Sequence, residues 1–295
     1  MYDIKALYEA HSVAEAVDLR LAHLEAQIIA GGTDVLVQMR EGKRAGKELI
    51  SIQKVDELRG ICLDAQENIR IGSLTTFSHI TKHPLICEKL LVLGEAVDMV
   101  GGPQIRNAGT IGGNTCNGVT SADSASTLFA WDAIVELTGK NGKRLVPIGE
   151  FYIKAGTVDI RMEDGEIQTA ILIPKASYEN AHGYYIKYGM RNAMEIATTG
   201  CSVNCELSKD KKTFQRVRIA YGVAGPIPLR CKTAEAFLTG KPVTAENIEA
   251  FSKTVLEDVN PRDSWRASKA FRLHIAVEMA KRCLTESVKR CGGDL

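Results

Sequence analysis

The sequence predicts an α+β protein built from three successive parts. Three observations lead to this prediction: a short strand–helix–strand pattern at the start, extended segments paired around turn dipeptides in the middle, and long extended segments followed by helical ones at the end. A chain of 295 residues is long enough for about two domains of ~100–200 residues each. We therefore expect one domain over residues 1–176, with subdomains at about 1–58 and 59–176, and a second domain over residues 177–295.

The first subdomain is predicted to be a small strand–helix–strand unit. Ser12 and Glu15 form a capping box, the pattern in which a hydroxyl and a carboxylate satisfy free amides at the start of a helix. Residues 26–30 and 49–52 are short apolar runs typical of buried strands, and residues 35–39 between them are predicted to be helical.

The middle subdomain is predicted to be mostly antiparallel sheet with helices. A strand at residues 68–72 precedes a helical stretch, of which residues 85–100 are the clearest part. Two hairpins are then predicted from turn dipeptides between extended segments. In the first, residues 134–137 and 144–146 flank Asn141-Gly142, which predicts a type I′ turn. In the second, residues 158–161 and 169–172 flank Asp164-Gly165.

The last part is predicted to be a three-stranded antiparallel sheet followed by helices. The predicted strands are residues 184–188, 196–207 and 217–223. The predicted helices are residues 233–238, 244–259 and 264–291.

The charge balance excludes several classes of protein. Lys and Arg total 37 and Asp and Glu total 36, so the net charge is +1 and no basic surface for a nucleic acid or a membrane is expected. No apolar run reaches the ~18 residues of a membrane span, and the first residues lack the pattern of a secretory signal. We therefore expect a cytoplasmic protein with reduced thiols.

The cysteines do not form a metal-binding pattern. No two of the eight stand in a Cys-x-x-Cys pair, and their spacing is too scattered for a zinc site or an iron–sulfur cluster. We therefore expect no metal site in this chain. The cysteines are Cys62, Cys87, Cys116, Cys201, Cys205, Cys231, Cys283 and Cys291.

The first candidate binding segment lies between a predicted strand and a predicted helix and reads Gly31-Gly32-Thr33-Asp34. Two glycines let the backbone approach a ligand closely, and the start of the next helix presents unpaired amides, which suit a phosphate. The alternative is an ordinary tight turn in which Thr33 or Asp34 caps the helix.

The second candidate segment covers residues 109–123 and has four glycines within its first ten residues. Asn, Asp and hydroxyl side chains stand between them, a pattern that suits pyrophosphate and sugar hydroxyls. The alternative is an irregular glycine-rich loop. Gly-x-Gly-x-x-Gly and Gly-Lys-Ser/Thr motifs are absent, which argues against Rossmann and P-loop sites. We expect a Cβ at Gly32 or Gly112 to occupy space that a diphosphate needs.

Lys187 is a third candidate because it stands among aromatic residues on the predicted strand 184–188. Its side chain either extends to solvent, as isolated lysines usually do, or places a positive charge near an anionic or electron-rich ring.

Together these segments resemble the FAD-binding, or medium, subunit of the molybdenum hydroxylases, the family of xanthine dehydrogenase and carbon monoxide dehydrogenase. The resemblance covers nearly the whole chain, and the two glycine motifs follow each other in the family's order. Residues 187–196 and 264–269 are similar to the bacterial xanthine dehydrogenase branch. The other matching segments are residues 29–34, 104–114 and 121–124.

The resemblance implies a two-subdomain FAD-binding fold, followed by the family's C-terminal sheet-and-helix domain. It also implies that Asn117 and Asp123 contact the ribityl or diphosphate region of FAD, that Ile167 lies near the flavin or adenine end, and that Lys187 lies near the isoalloxazine. Two segments would wrap the pyrophosphate and ribityl chain. The first consists of Gln27, Ile28, Ile29, Ala30, Gly31, Gly32, Thr33 and Asp34, and the second of Thr110, Ile111, Gly112, Gly113 and Asn114.

The resemblance further implies an oxidoreductase subunit that transfers electrons. Members of the family pass electrons from a molybdenum centre through two [2Fe–2S] clusters to FAD, which reduces NAD+ by hydride transfer. The clusters and the molybdopterin belong to partner subunits, and a dimer of heterotrimers is expected. Xanthine dehydrogenase is the implied enzyme. The alternatives are a sister hydroxylase acting on nicotinate, quinoline, carbon monoxide or an aldehyde, a stand-alone flavin oxidase, and an assembly scaffold that has lost its flavin.

Two positions depart from the pattern of animal xanthine dehydrogenases. Val100 stands where those enzymes place an aromatic residue beside the flavin, and Glu195 is not clearly aligned with the acidic residue near the hydride-transfer atom. Cys116 lies inside the second glycine segment.

Overall fold

A parallel three-stranded sheet begins the chain. In the computed structural model, which describes residues 2–295, its strand order is β1-β3-β2. The elements of this part are β1 (Ile4–Glu9), α1 (Val13–Ala22), β2 (Gln27–Ile29), α2 (Val35–Arg40) and β3 (Lys47–Ser51).

Helix α1 starts where the sequence predicts, but one bond of its cap differs. The hydroxyl of Ser12 accepts a hydrogen bond from the Glu15 amide, as predicted. The Glu15 carboxylate accepts from the amide of His11, one residue before the cap. Strand β1 has no counterpart in the sequence prediction, because its apolar side chains do not mark a buried face: Leu7 and Ile4 are both exposed.

The middle part is an antiparallel sheet of five strands in the order β4-β5-β10-β6-β7. Its strands are β4 (Ile61–Leu63), β5 (Ile69–Gly72), β6 (Ile134–Gly139), β7 (Gly142–Pro147) and β10 (Ile167–Ile173), and a separate two-stranded ribbon consists of β8 (Tyr152–Lys154) and β9 (Thr157–Val158). Its helices are α3 (Phe77–Lys82), α4 (Pro84–Lys89), α5 (Leu91–Asp98), α6 (Pro103–Ala108), α7 (Ile111–Cys116), α8 (Asp123–Ala130), α9 (Ile148–Phe151) and α10 (Lys175–Tyr178).

The first predicted hairpin forms, although its turn is not type I′. Strands β6 and β7 pair as far as Gly139 and Gly142, so Lys140 and Asn141 are the loop residues. A type I′ turn needs positive φ at both loop residues, and of these four residues only Gly142 has it, at +94°. The predicted turn type is therefore wrong.

The second predicted hairpin is wrong. Val158 pairs with Tyr152 in the small ribbon, while β10 lies between β5 and β6 at the centre of the large sheet. All seven residues of β10 are buried, and a central strand takes its partners from distant segments rather than from the nearest turn. Gly165, at φ +66°, instead ends a short 3₁₀ turn that lies against α1.

The last part contains the three predicted strands and a short fourth one, which was not predicted. The strand order is β11-β12-β13-β14, all antiparallel. The elements are β11 (His182–Tyr188), β12 (Thr199–Leu207), β13 (Phe214–Gly222), β14 (Leu229–Arg230), α11 (Lys232–Leu238), α12 (Ala245–Thr254) and α13 (Lys269–Arg290). The last helix starts later than predicted, because the hydroxyl of Ser268 caps it.

Helix α8 joins the middle part to the last part. All eight of its residues are buried, and it packs against β12 and β13 of the following sheet. The hydroxyl of Thr127 on α8 donates a hydrogen bond to that of Ser202 on β12, at 3.2 Å. Cys201 and Cys205 are packed in the core of the last part, as expected for thiols on one strand face. Among the described residues, no helix combines the length and the apolar character that crossing a membrane requires.

Candidate functional site

The first glycine segment presents a row of free amides. Within residues 2–295, the backbone amides of residues 31–34 donate no hydrogen bond to a protein group. Gly32 adopts φ +72°, a conformation that favours glycine and occurs in loops whose consecutive amides bind anions. This part of the loop is half-buried rather than fully covered.

Asp34 does not cap helix α2, as the alternative interpretation of this segment would require. Asp34 occupies the position before α2, yet its side chain makes no capping hydrogen bond. Its carboxylate instead accepts from the side-chain amide nitrogen (Nε2) of Gln38, at 2.6 Å. The free amides of the loop are therefore not satisfied by the residue that would normally do so.

The second glycine segment folds as helix α7 with a capped start. The hydroxyl of Thr110 accepts a hydrogen bond from the Gly113 amide at 3.1 Å. The Asn114 side-chain oxygen accepts one from the Ser124 hydroxyl at 2.6 Å. Two side chains thus fix the shape of this segment and its position against α8.

The two glycine segments touch. A Cβ on Gly31 would stand 1.8 Å from the carbonyl oxygen of Ala108, immediately before the second segment. Only a glycine permits so close an approach between the two backbones. The structure therefore brings together two motifs that are far apart in the sequence.

The glycines of the second segment have different surroundings from those expected. A Cβ on Gly112 would meet Ser73, with 2.6 Å to its Cβ and 2.8 Å to its carbonyl oxygen. The expectation that this Cβ would occupy ligand space is therefore wrong, since the residue packs against the protein itself. Gly113 is exposed, and its nearest atom is the Thr110 hydroxyl oxygen.

Lys187 is buried in an ion pair and does not extend to solvent. Its ammonium nitrogen lies 2.8 Å from a carboxylate oxygen of Asp123, and both side chains are under a tenth exposed. The ammonium also donates to the carbonyl oxygens of Met99 at 3.0 Å and Glu195 at 2.9 Å. One side chain thus holds three separate segments together.

Burial and charge oppose each other at Asp123. Burial raises the pKa of this carboxyl, while the ammonium of Lys187 and the hydroxyl of Tyr185 lower it. The Tyr185 hydroxyl donates to the second carboxylate oxygen at 2.9 Å. Both oxygens of Asp123 are therefore already bound by the protein.

Three further residues singled out in the sequence are Cys116 and Asn117, at the end of α7, and Ile167, at the start of β10. Asn117 is half-buried and follows the end of α7. Ile167 is buried in a cluster that includes Ile28 and Ala30, which precede the first segment. Burial raises the pKa of the Cys116 thiol to about 12, and this thiol contacts the side-chain oxygen of Gln168. We therefore expect the Cys116 thiol to be less reactive than an exposed one.

A cavity of about 530 Å³ lies beside the Lys187 ion pair. One side is formed by residues 187–189 and 191–195, and the other by Asp98, Met99, Gly101 and Arg106. The sequence prediction did not include this cavity, because its two sides come from distant parts of the chain and share no motif. The only signal was the mixture of glycine, methionine and charged residues after Lys187.

Family models match most of the chain. The FAD binding domain in molybdopterin dehydrogenase matches residues 2–176, and the CO dehydrogenase flavoprotein C-terminal domain matches residues 184–287. The chain is an FAD-binding subunit of the molybdenum hydroxylase family. The predicted family and fold class are therefore confirmed.

Similar proteins carry several different enzyme names. The FAD-binding subunit described here is 41% identical over 295 residues to the putative xanthine dehydrogenase FAD-binding subunit of Escherichia coli, covering 100% of both chains. It is 33% identical over 224 residues to the nicotinate dehydrogenase FAD-subunit of Eubacterium barkeri, covering 76% of this chain and 75% of that one. A carbon monoxide dehydrogenase structure from Hydrogenophaga pseudoflava has a TM-score of 0.91 at 30% identity and covers 99% of each chain.

The two departures from the animal pattern have clear positions in this FAD-binding subunit. Val100 is half-buried and packs against the core of the middle part. The carboxylate of Glu195 accepts a hydrogen bond from the Arg191 amide at 2.5 Å, and the residue lines the cavity. An acidic group is therefore present at the cavity wall, held by its own loop.

Proposed function

We propose that this subunit binds FAD where its two glycine segments meet, receives electrons from [2Fe–2S] clusters on a partner subunit, and delivers them to NAD+ as part of a xanthine dehydrogenase. The observation that carries the FAD site is the contact of Gly31 with the Ala108 carbonyl, because it joins two ligand-binding motifs in one place.

The residues present fit a dinucleotide. The free amides of residues 31–34 suit the oxygens of a diphosphate, and Gly113 leaves space at the start of α7. Helix α6 follows Gly101 at the cavity and ends with Ala108 at this point, and its six residues span about 9 Å. A molecule with a diphosphate at one end of α6 and a ring system at the other matches this distance. When bound, FAD supplies hydride and one-electron transfer chemistry.

We assign the FAD contacts to the residues that the family resemblance indicates. Residues 27–34 and 110–114 would hold the diphosphate and ribityl chain, with Asn117 and Ile167 beside them. Asp123 and Lys187 would act by positioning: their ion pair fixes the backbone at Met99 and Glu195 on both sides of the cavity.

NAD+ is the acceptor that the cavity suits. A volume of about 530 Å³ lies within the ~300–1,000 Å³ of typical small-molecule sites. Arg191 on one side supplies positive charge for a pyrophosphate, while Arg106 on the other side is paired with Asp98 at 3.1 Å. Val100 offers no ring for stacking, so we assign that position to packing.

Xanthine dehydrogenase is favoured by the relative with 41% identity over the whole chain. The substrate would be bound by the molybdopterin-binding partner, so nicotinate, quinoline, carbon monoxide and aldehyde hydroxylases remain the second candidates. We propose that the complex is a dimer of heterotrimers that acts in purine metabolism. Neighbouring genes for a small chain with two cysteine clusters and for a large molybdopterin-binding chain would support this composition. We also propose a cytoplasmic location, since all eight cysteines are free thiols.

The test is the colour and activity of the purified native complex. We expect flavin absorbance, FAD as the released cofactor, and NAD+ reduction with xanthine but not with nicotinate. A colourless subunit that FAD does not reconstitute would support the scaffold alternative. A yellow complex that reduces only an artificial dye would remove NAD+ from the proposal.

A further inference from the structure

Two pairs of cysteine thiols lie between strand β12 and helix α13. The Cys283 sulfur lies 3.7 Å from the carbonyl oxygen of Cys201. The Cys291 sulfur lies 3.1 Å from the carbonyl oxygen of Cys205. All four are free thiols in the core of the last part. We call Cys201 with Cys283 the inner pair, and Cys205 with Cys291 the outer pair.

The two thiols within each pair also contact each other. Burial and a hydrogen bond with the Cys283 thiol raise the pKa of Cys201. In the outer pair, a hydrogen bond with the Cys291 thiol and burial raise the pKa of Cys205. Each strand cysteine therefore has a helix cysteine as its neighbour, which is the arrangement that a disulfide between the two elements requires.

The spacing of the two pairs matches along the strand and along the helix. From Cys201 to Cys205 the strand advances about 13 Å, at ~3.3 Å per residue. From Cys283 to Cys291 the helix advances about 12 Å, at ~1.5 Å per residue. Helix α13 therefore runs beside β12 in the same direction, and a helix thiol meets a strand thiol at both places.

Small molecules reach the outer pair more easily than the inner pair. Cys291 directly follows the last residue of α13 and is 6% exposed, whereas both cysteines of the inner pair are 0% exposed. The chain turns there through Gly292, at φ +75°. A cavity of about 230 Å³ at this end of the helix is lined by Arg290 and His182. Helix ends open more readily than helix interiors, so exposing Cys291 needs only a local opening.

The surroundings of Cys291 favour its thiolate. Hydrogen bonds from the Cys205 thiol and the His182 amide lower the pKa of Cys291, and the ammonium of Lys211 lowers it further. Burial and the carboxylate of Glu206 act in the opposite direction, but the pKa stays below its ordinary value. The thiolate is the form of cysteine that attacks an oxidant. Cys291 is therefore the attacking thiol of the outer pair, and Cys205 is the neighbour that completes a disulfide.

We propose that the outer pair is an oxidation site at which hydrogen peroxide forms a disulfide between Cys205 and Cys291. The Cys291 thiolate attacks a peroxide oxygen, an S–O bond forms as the O–O bond breaks, and the leaving hydroxide takes a proton to become water. The Cys205 sulfur then gives up its proton and attacks the sulfenic acid, so that the S–S bond forms and the S–O oxygen leaves as water. In total, two thiols lose two electrons and two protons, and one peroxide becomes two waters.

The disulfide would fasten α13 to β12. It would enclose residues 205–291, which contain β13, β14, α11 and α12. A cross-link between residues so distant in the chain restricts the unfolded state and stabilises the fold. Oxidation would therefore stabilise the last part of the subunit, and the site needs neither FAD nor a partner subunit.

The test is a peptide map of the full-length subunit after oxidation. Folded protein is incubated with a small excess of hydrogen peroxide, its remaining thiols are blocked with N-ethylmaleimide in urea, and the digest is analysed by mass spectrometry without reduction. We expect the Cys205 and Cys291 peptides to be joined, and dithiothreitol to separate them. The outer pair should be oxidised at least ~10-fold faster than the inner pair. The oxidised protein should unfold at least ~5 °C higher than the reduced protein.

Two variants separate this site from the other thiols. Cys62→Ser/Cys87→Ser removes the two exposed cysteines and should still form the link at the wild-type rate. Cys291→Ala should form no link and show no rise in unfolding temperature, and the wild-type map decides the question if this variant does not fold. The inference would be overturned if Cys205 and Cys291 of peroxide-treated wild type both carried maleimide, or if the link formed only after unfolding in urea. Oxidation of Cys291 to a sulfinic acid with Cys205 still free would overturn it as well.

Discussion

Replacing Gly31 with alanine tests the contact on which the FAD site depends. The new Cβ would lie 1.8 Å from the Ala108 carbonyl oxygen, whereas ordinary contacts begin at 3.4 Å, so the two segments must move apart by the difference. The oxygen belongs to the backbone and the position of a Cβ is fixed by its own backbone, so no side-chain rotation relieves the overlap. In the FAD-free variant we expect the segments to lie further apart, so that FAD binding must bring them together. Overpacking of this kind costs about 1–3 kcal/mol, which corresponds to FAD binding that is ~5- to 150-fold weaker.

The assay is a fluorescence titration of FAD-free protein with FAD, combined with a thermal unfolding scan to show that the variant is folded. Gly149→Ala is the matched control, because a Cβ there meets nothing within 4 Å. We expect wild-type affinity for the control. A folded Gly31→Ala protein with wild-type affinity would show that the contact between the two segments does not shape the FAD site.

Three further predictions follow from the buried groups and the cofactor. Lys187→Met leaves Asp123 unpaired in the interior and should lower the free energy of unfolding, measured by urea titration, by about 3–5 kcal/mol. Adding Asp123→Asn should recover part of this loss, and an unchanged urea midpoint in Lys187→Met would contradict a structural role of the ion pair. Iodoacetamide at neutral pH should modify exposed Cys62 and Cys87 but not Cys116, because burial raises the pKa of the Cys116 thiol to about 12. Peptide mass spectrometry measures the labelling, and equal labelling of all three cysteines would refute this prediction. Removing FAD should lower the unfolding temperature measured by calorimetry, since a ligand at 100 times its Kd stabilises the folded protein by about 2.7 kcal/mol. An unchanged unfolding temperature would argue against a native FAD site.

Local signals in the sequence predicted much of the fold. The capping hydroxyl of Ser12 places α1, and the long runs of the last part place β11 to β13, because each pattern depends on residues close in the chain. The second hairpin failed for the opposite reason. Strand β10 is apolar throughout most of its length, so its sequence reports burial on both faces but not which distant strands flank it.

In the candidate site, too, local motifs could be predicted from the sequence, whereas contacts between distant segments could not. The glycine segments stand out in the sequence, since their composition serves neither a core nor a linker. What Gly112 and Lys187 contact is not visible there: Ser73, Met99 and Asp123 come from other elements, and only the fold brings them near. The domain boundary at residue 176 and the assignment of individual FAD contacts stay predictions.

Helix α8 has a consequence for how the chain is made. The ribosome completes this helix well before β12 emerges, and β12 and β13 are the strands that cover one of its sides. Until then, apolar residues such as Leu128 and Phe129 belong to a segment whose final neighbours do not yet exist. We therefore expect a truncated protein ending near residue 176 to expose this surface and to aggregate rather than fold on its own.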